Sequence, residues 1–221
     1  PLFRDFPILF FLSLPFWPNI QYQNVLKSVN LNIKEGEFVL LQGASGSGKS
    51  TLCSILNKYI TDYTGDILFG KMNYKDLSIK TIRDNIVYVG QNENIFTGSI
   101  KENITFGNKV SDLNFDKICK ICKVDDVANK KTFRYESLIG SDEGNISGGE
   151  KQRIILARAV LKDFNVLILD EALSEVDIKL ELEILKSIRE NYKDKTIIYI
   201  SHKKYSNIFD KVINMEAVWT I

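Results

Sequence analysis

Several residue types are scarce in this chain, and each scarcity narrows what the protein can do. The 221 residues include one histidine, three cysteines and no excess of either charge, with 29 Lys and Arg against 28 Asp and Glu. A net charge of +1 gives no reason to expect a nucleic-acid-binding surface. The small, odd number of cysteines does not suggest a disulfide framework and indicates a reducing, cytosolic setting.

Two of the three cysteines have the spacing C-x-x-C, at Cys119 and Cys122. This spacing occurs in metal and redox sites, but the other soft ligands of the chain, Cys53 and His202, are distant in sequence. The apolar residues of 115–124 suit one side of a helix, so we predict that both thiols are buried in the core. A metal or redox function is the alternative.

Proline is absent after residue 18. All four prolines lie in 1–18, together with six aromatic residues and two charged ones. The apolar stretch 8–17 is too short and too interrupted by proline to cross a bilayer, and no signal-peptide cleavage site follows it. The chain also starts at proline, so we expect a fragment of a longer protein. Residues 1–18 are then a linker from an upstream region or an out-of-frame stretch.

The segment Gly43–Ser50 reads G-A-S-G-S-G-K-S, which matches the phosphate-binding frame G-x-x-x-x-G-K-[ST]. Glycines let backbone N–H groups approach a phosphate closely, Lys49 supplies a positive charge for the outer phosphates, and the Ser50 hydroxyl suits Mg²⁺. A strand-like run, 37–42, precedes the loop and a helix-like run, 50–59, follows it. This order places the phosphates at a helix N-terminus and predicts nucleotide binding.

A second group of candidate residues follows an apolar run at 166–169, which ends in Asp170 and Glu171. Ligands bind at the carboxyl edge of open α/β sheets, where a strand of this kind would present its two carboxylates. One carboxylate suits Mg²⁺ and the other suits polarising an attacking water, a division that fits phosphoryl transfer. The alternative is a strand followed by an acidic helix cap.

A third candidate is the helix start at Ser147, Gly148 and Gly149, which precedes the helix-like run 150–162. The amides of a glycine-opened helix start make a second anion site. One nucleotide hardly needs two such helices from a single subunit. We therefore predict a head-to-tail dimer, in which this segment of each chain covers the nucleotide of the other. A plain helix cap is the alternative.

Two further polar residues follow apolar runs. His202 comes after the strand-like run 196–201, and Gln91 comes after 86–90. The Gln91 amide suits binding Mg²⁺ or water, while a structural histidine and a solvated loop glutamine are the alternatives.

Strand-like and helix-like segments alternate along the chain, which predicts an α/β fold with a parallel central sheet. The predicted strands are 25–33, 37–41, 66–69, 86–89, 166–169 and 196–200, and the predicted helices are 50–59, 115–130, 150–162 and 179–192.

Taken in this order, the motifs resemble those of ATP-binding cassette (ABC) ATPases, the nucleotide-binding domains of ABC transporters. The resemblance covers about residues 21–215. Gly43–Thr51 matches the Walker A loop, Gln91 the Q-loop, Ile146–Glu150 the LSGGQ motif, Val166–Glu171 Walker B, Ser174–Asp177 the D-loop and His202 the switch histidine.

The resemblance implies a role for each matched residue. Glu171 is then the general base, His202 contacts the γ-phosphate, Gln91 belongs to the catalytic set, and Asp177 lies at the dimer interface. The implied Mg²⁺ ligands are Ser50, Gln91 and Asp170. The implied ATP-binding residues are Gly43, Ala44, Ser45, Gly46, Ser47, Gly48, Lys49, Ser50, Thr51, Ser147, Gly148 and Gly149, with Tyr22 as the adenine-stacking aromatic.

The resemblance also implies an architecture and partners. The expected fold is a P-loop NTPase (RecA-like) core with a parallel central sheet, an antiparallel β subdomain and a helical subdomain at about 92–162, all within an ABC domain at 19–221. The segment 97–107 is similar to exporter-type cassettes, and 146–153 and 171–177 favour the peptide or bacteriocin branch. The expected partners are a second ATP-binding domain and a transmembrane domain, fused or separate, at the cytoplasmic face of the membrane.

The sequence departs from the family pattern in three places. Glu150 replaces the usual glutamine and adds negative charge near a phosphate site, although Lys151 is adjacent and a carboxylate suits a helix start. Tyr22 lies closer to 25–26 than the stacking aromatic usually does. The chain also stops soon after Met215, where the family normally continues.

Two other functions are compatible with the same motifs. A soluble ABC ATPase of DNA repair or translation uses this cassette without a membrane, but such proteins typically carry a long coiled-coil insertion or a second cassette. A module that binds ATP without turnover is the other alternative, and the intact Lys49, Asp170, Glu171 and His202 argue against it.

Overall fold

The computed structural model describes residues 10–11, 20–23, 25–29, 31–140, 146–205 and 207–215. The chain divides into two compact units. The first unit contains the residues up to 88, together with 164–170 and those from 194 onward. The second unit contains 89–163 and 171–193, so it includes a segment beyond the predicted helical subdomain at 92–162.

A five-stranded sheet forms the centre of the first unit, with the strand order β13-β5-β12-β11-β8. The neighbouring pairs β13–β5, β5–β12 and β12–β11 are parallel. Each of the three inner strands is an almost continuous apolar run, as expected for strands covered on both faces. The strands are β5 (Phe38–Gln42), β8 (Ile86–Val89), β11 (Val166–Asp170), β12 (Thr196–Ile200) and β13 (Lys211–Asn214).

The first unit also contains short strands that pair antiparallel in two smaller sheets. They are β1 (Phe10–Phe11), β2 (Ile20–Tyr22), β3 (Leu26–Val29), β4 (Asn32–Ile33), β6 (Leu68–Phe69) and β7 (Met72–Asn73). One small sheet has the order β4-β1-β6-β7, and β2 pairs with β3. Residues 10–11 of the predicted linker 1–18 thus take part in a sheet, and the rest of that segment lies outside the described residues.

Among the residues that the structure describes, the first unit has two α-helices and the second unit has five. They are α1 (Lys49–Leu56), α2 (Ile79–Asn85), α3 (Ile100–Thr105), α4 (Asp112–Ile121), α5 (Val124–Asn129), α6 (Gly148–Val160) and α7 (Ile178–Asn191). Serine or aspartate side chains cap the N-termini of α2, α3, α4, α6 and α7, as expected from N-cap preferences. The second unit also contains the paired strands β9 (Gly98–Ser99) and β10 (Leu138–Ile139).

Two element predictions were wrong. The predicted helix 115–130 is two helices, because Lys123 adopts a left-handed conformation with φ 56° and ends the first of them. The predicted strand 25–33 is likewise two short strands, β3 and β4. At Lys123 the left-handed residue interrupts an apolar pattern that continues through it.

The prediction that Cys119 and Cys122 belong to the core is confirmed. Cys53, Cys119 and Cys122 are free and buried. Burial raises the pKa of Cys119 to about 12 and raises that of Cys122 well above its usual range, so both stay as neutral thiols. Within the described ranges, no helix combines the length and the apolar content needed to cross a membrane.

Candidate nucleotide site

Three adjacent parallel strands end at the same edge of the central sheet. The register pairs Leu41 of β5 with Ile200 of β12, and Ile200 with Asp170 of β11. The phosphate loop follows β5 directly and His202 follows β12, so both lie at the edge where Asp170 lies. Gln42 ties two of these ends together, since its Nε2 donates to the Lys203 carbonyl at 2.7 Å.

The phosphate loop of the first unit needs glycine for conformation and for space. Gly46 and Gly48 have φ values of 82° and 87°, a region that side chains disfavour. A Cβ on Gly48 would lie 2.6 Å from Leu26 Cδ2, and one on Gly43 would lie 2.7 Å from Ser47 Oγ. The loop therefore turns tightly against β3 and opens directly into α1, whose first residue is Lys49.

Lys49 folds back over the loop that precedes it. Its Nζ donates to the carbonyls of Gly43 and Ala44, both at 2.8 Å, and to Ser47 Oγ at 3.2 Å. The residue is buried, and in the part of the chain that the structure describes no carboxylate forms an ion pair with it. A buried ammonium held by neutral oxygens is well suited to a phosphate anion, so the loop fits the phosphates of a nucleotide.

Hard oxygen donors for Mg²⁺ lie on neighbouring elements of the first unit. Ser50 is the second residue of α1, and α1 contacts β11, the strand that ends in the buried Asp170. The Tyr88 hydroxyl donates to Asp170 Oδ2 at 3.0 Å. Burial, with the Asp170 charge next, raises the pKa of Tyr88 well above its usual range and keeps this donor protonated. A hydroxyl and an oriented carboxylate suit Mg²⁺, so these residues fit the metal.

The remaining candidates of the first unit occupy separate positions. His202 is exposed in the segment after β12, and Thr51 is half-buried in the first turn of α1. Tyr22 pairs with Leu26 across β2 and β3, and Leu26 is the residue that packs against Gly48. Tyr22 is partly buried and packs against the core, on the strand pair that borders the phosphate loop.

In the second unit, the structure brings Gln91 and Glu171 together. Gln91 Nε2 donates to Glu171 Oε2 at 3.2 Å. Glu171 has a left-handed backbone with φ 53°, which costs a non-glycine residue about 1 kcal/mol or more. The left-handed residue Glu171 follows the last residue of β11, Asp170, and ends the strand there.

Ser147 begins α6 with a capping box. Its Oγ accepts from the Glu150 N–H at 3.2 Å, and Glu150 Oε2 accepts from the Ser147 N–H at 3.1 Å. Lys130 forms an ion pair with Glu150 at 3.0 Å. Burial alone would raise the pKa of Glu150, but the bonds from Ser147 and Lys130 outweigh it and lower that pKa. Glu150, which departs from the family pattern, is thus part of the helix cap, and Lys130 balances its charge.

Close packing explains the two glycines at the start of α6. A Cβ on Gly149 would lie 2.8 Å from the backbone carbonyl oxygen of Glu175, and one on Gly148 would collide with the Glu175 carboxylate. Asp177, the last residue of the D-loop segment, caps α7 by accepting from the Lys179 N–H at 2.9 Å. The glycines therefore have a packing role within one chain, besides the anion-binding role predicted from the sequence.

We expect Gly149→Ala to destabilise the protein more than Gly148→Ala. The first substitution pushes against the D-loop backbone, at a cost of about 1–3 kcal/mol, as for overpacked positions. The second meets only the end of an exposed side chain that can rotate away, so its effect should stay within about 0.5 kcal/mol. Urea unfolding followed by circular dichroism measures both, and equal stabilities would contradict the packing seen here.

Sequence reasoning missed Tyr88 and Gln152. Gln152 Nε2 donates to Ser174 Oγ at 3.0 Å, and its Oε1 accepts from the Glu175 N–H at 2.9 Å. Tyr88 lies on a predicted strand three residues before Gln91, and Gln152 lies in a predicted helix. Their partners are distant in the chain, so no local pattern marks either residue.

A family model described as "ABC transporter" matches residues 26–174. Among curated proteins, the chain is 40% identical over 181 residues to the lactococcin-G-processing and transport ATP-binding protein LagD of Lactococcus lactis, covering 80% of this chain and 26% of that protein. It is 34% identical over 180 residues to the ATP-dependent lipid A-core flippase of Pectobacterium atrosepticum, covering 80% of this chain and 31% of the relative.

The fold also matches a solved structure. A bacterial Atm1-family ABC exporter with ATP bound superposes with a TM-score of 0.79 at 27% identity, covering 90% of this chain and 35% of that chain. This chain thus spans between about a quarter and a third of the length of these proteins.

Proposed function

This chain belongs to the ABC transporter family, and we propose that it is the ATP-hydrolysing motor domain of an exporter. The observation that carries the proposal is the shared ending of β5, β12 and β11, which brings the phosphate loop, His202 and Asp170 to one sheet edge. An edge of this kind is where open α/β sheets bind their ligands. The buried Lys49, without a carboxylate partner in the described ranges, supports an anionic ligand at that edge.

Binding of ATP uses the phosphate loop. The glycine-rich backbone and the dipole of α1 favour the phosphates, and the Lys49 ammonium exchanges its contacts with loop oxygens for contacts with the outer phosphates. Tyr22 stacks on the adenine. Ser50, Asp170 and Gln91 are the residues that would hold Mg²⁺, which, when bound, neutralises phosphate charge.

Hydrolysis uses Glu171 as the general base. A water oxygen attacks the γ-phosphorus, the bond to the β–γ bridging oxygen breaks, ADP leaves, and Glu171 takes the water proton. The hydrogen bond from Gln91 keeps one Glu171 oxygen occupied and orients the carboxylate. His202 contacts the γ-phosphate and stabilises its charge.

Two copies of the chain form the working unit. In the proposed head-to-tail dimer, the start of α6 in one chain, at Ser147–Gly149, approaches the nucleotide bound to the other. The capping box supports this role, since it keeps that first turn formed before any partner arrives.

A membrane domain, fused or separate, completes the exporter and places this domain at the cytoplasmic face of the membrane. The similar proteins are about three to four times as long as the matched part, and their names describe transport, a flippase or an exporter. A peptide substrate is favoured by the 40% identity to a protein named for lactococcin G.

Phosphate release from ATP tests the proposed activity. We expect the purified protein to release phosphate with Mg²⁺ and ATP, to stop when EDTA removes the metal, and to show a specific activity that rises with protein concentration. The rise is expected because a composite site forms only in the dimer. Binding of ATP without turnover would contradict the motor function and favour a binding module.

Tyr88→Phe is expected to weaken Mg²⁺ binding. The change removes the hydroxyl that fixes Asp170, and loss of such a supporting hydrogen bond typically costs about tenfold in metal affinity. The Mg²⁺ concentration that gives half of the thermal stabilisation by ADP measures the effect without turnover. Tyr59→Phe, at an exposed position of the same unit, is the matched control. An unchanged Mg²⁺ requirement would show that the hydrogen bond does not position Asp170.

A further inference from the structure

The D-loop segment Ser174–Asp177 is hydrogen-bonded to α6 and packs against it within each chain. The Gln152 side chain is buried and bonds to both Ser174 Oγ and the Glu175 N–H. The Glu175 carbonyl oxygen packs against Gly149. These contacts fix the backbone of Glu175 beside the first turn of the helix.

The Glu175 carboxylate lies over Gly148. Both carboxylate oxygens occupy the space that a Cβ on Gly148 would enter. The residue is exposed, and in the described part of the chain no cation forms an ion pair with it. The other carboxylate at this helix start, Glu150, is balanced by Lys130. One unbalanced negative charge therefore lies against the start of α6.

An anion that approaches the same helix start is repelled by the Glu175 carboxylate. The helix dipole attracts negative charge there, but like charges within a few ångströms oppose each other, and a desolvating interface strengthens the effect. We propose that the Glu175 carboxylate opposes the approach of a nucleotide phosphate to the start of α6, so that it raises the ATP concentration at which two chains assemble. This inference rests on the proposed ATP-dependent dimer and names a residue that tunes it.

Glu175→Gln tests the proposal because it removes the charge and keeps the size and the backbone contacts. We expect the ATP concentration for half-maximal hydrolysis to fall about fivefold, equivalent to about 1 kcal/mol, with kcat changed less than about twofold. Assembly measured by light scattering with a non-hydrolysable ATP analogue should shift in parallel. The difference from the wild-type protein should shrink as salt increases, because salt screens a charge but not a packing contact.

Three further variants separate an effect of the Glu175 charge from an effect of side-chain size and from a general change in net charge. Glu175→Asp keeps the charge and should stay within about twofold of wild type, whereas Glu175→Ala should behave like Glu175→Gln. Glu190→Gln makes the same charge change at an exposed position of α7 and should leave the ATP requirement unchanged. A higher or unchanged ATP requirement in Glu175→Gln, or a difference that does not depend on salt, would overturn the proposal.

The proposed function fails in a different way. If the wild-type protein neither hydrolyses ATP nor assembles with it, the motor function and this inference fall together. If the wild-type protein turns over and loses turnover in Lys49→Ala, while Glu175→Gln matches the wild type, only the role of Glu175 is overturned.

Discussion

Glu171→Gln abolishes most ATP turnover while ATP binding persists. Glutamine keeps the size of the side chain and an oxygen that accepts the hydrogen bond from Gln91, so the local structure should survive. It cannot take a proton from water, and loss of a general base typically lowers turnover by about 10²–10⁴. Phosphate release under saturating Mg²⁺ and ATP measures kcat, and fluorescence of a labelled ATP analogue measures binding.

The matched control for Glu171→Gln is Glu190→Gln, an identical change at an exposed position of α7. Turnover of the control should stay within about twofold of wild type, as for surface substitutions in general. Turnover in Glu171→Gln within about tenfold of wild type would remove Glu171 from its role as general base.

Lys49→Ala weakens ATP binding by about thirtyfold, which corresponds to about 2 kcal/mol for a lost hydrogen bond to a charged group. The ammonium donates to the start of the loop, at the Gly43 and Ala44 carbonyls, and to the Ser47 hydroxyl in its middle. Its removal takes away the positive charge that faces the phosphates and leaves those loop oxygens with one donor fewer. Titration calorimetry with ATP gives the affinity directly.

Lys80→Ala serves as the control for Lys49→Ala. Lys80 is exposed on α2 and forms an ion pair with Asp84, four residues later, so its loss removes the same charge without touching the loop. ATP affinity of this variant should equal that of the wild type within about twofold. Equal affinities for Lys49→Ala and Lys80→Ala would show that Lys49 does not bind the phosphates.

The sequence predicts those parts of the site that depend on residue types at fixed spacing along the chain. A phosphate loop needs glycines and a lysine at fixed spacing, so Gly43–Ser50 is recognisable without any partner. Apolar runs that end in polar residues place Asp170 and His202 at strand ends, and the parallel register then brings those ends together.

The predictions of helix bounds failed where the backbone changes conformation although the apolar pattern of the side chains continues. Nothing in the apolar periodicity of 115–130 marks the left-handed residue Lys123 that divides it into two helices. Similarly, α6 begins at Gly148, two residues before the predicted start, because the Ser147 cap forms the first turn around the glycines.

By itself, the sequence determined the α/β class, the phosphate loop and the residues that follow the buried strands, because each depends on the order and spacing of neighbouring residues. Only the tertiary structure decided three contacts. Tyr88 donates a hydrogen bond to Asp170, and Lys130 forms an ion pair with Glu150. Gln152 accepts a hydrogen bond from the Glu175 N–H, which places Glu175 beside the start of α6. These contacts join residues 20 or more positions apart, the shortest being Lys130 to Glu150. The packing of whole elements brings such pairs together, and no spacing along the chain specifies them.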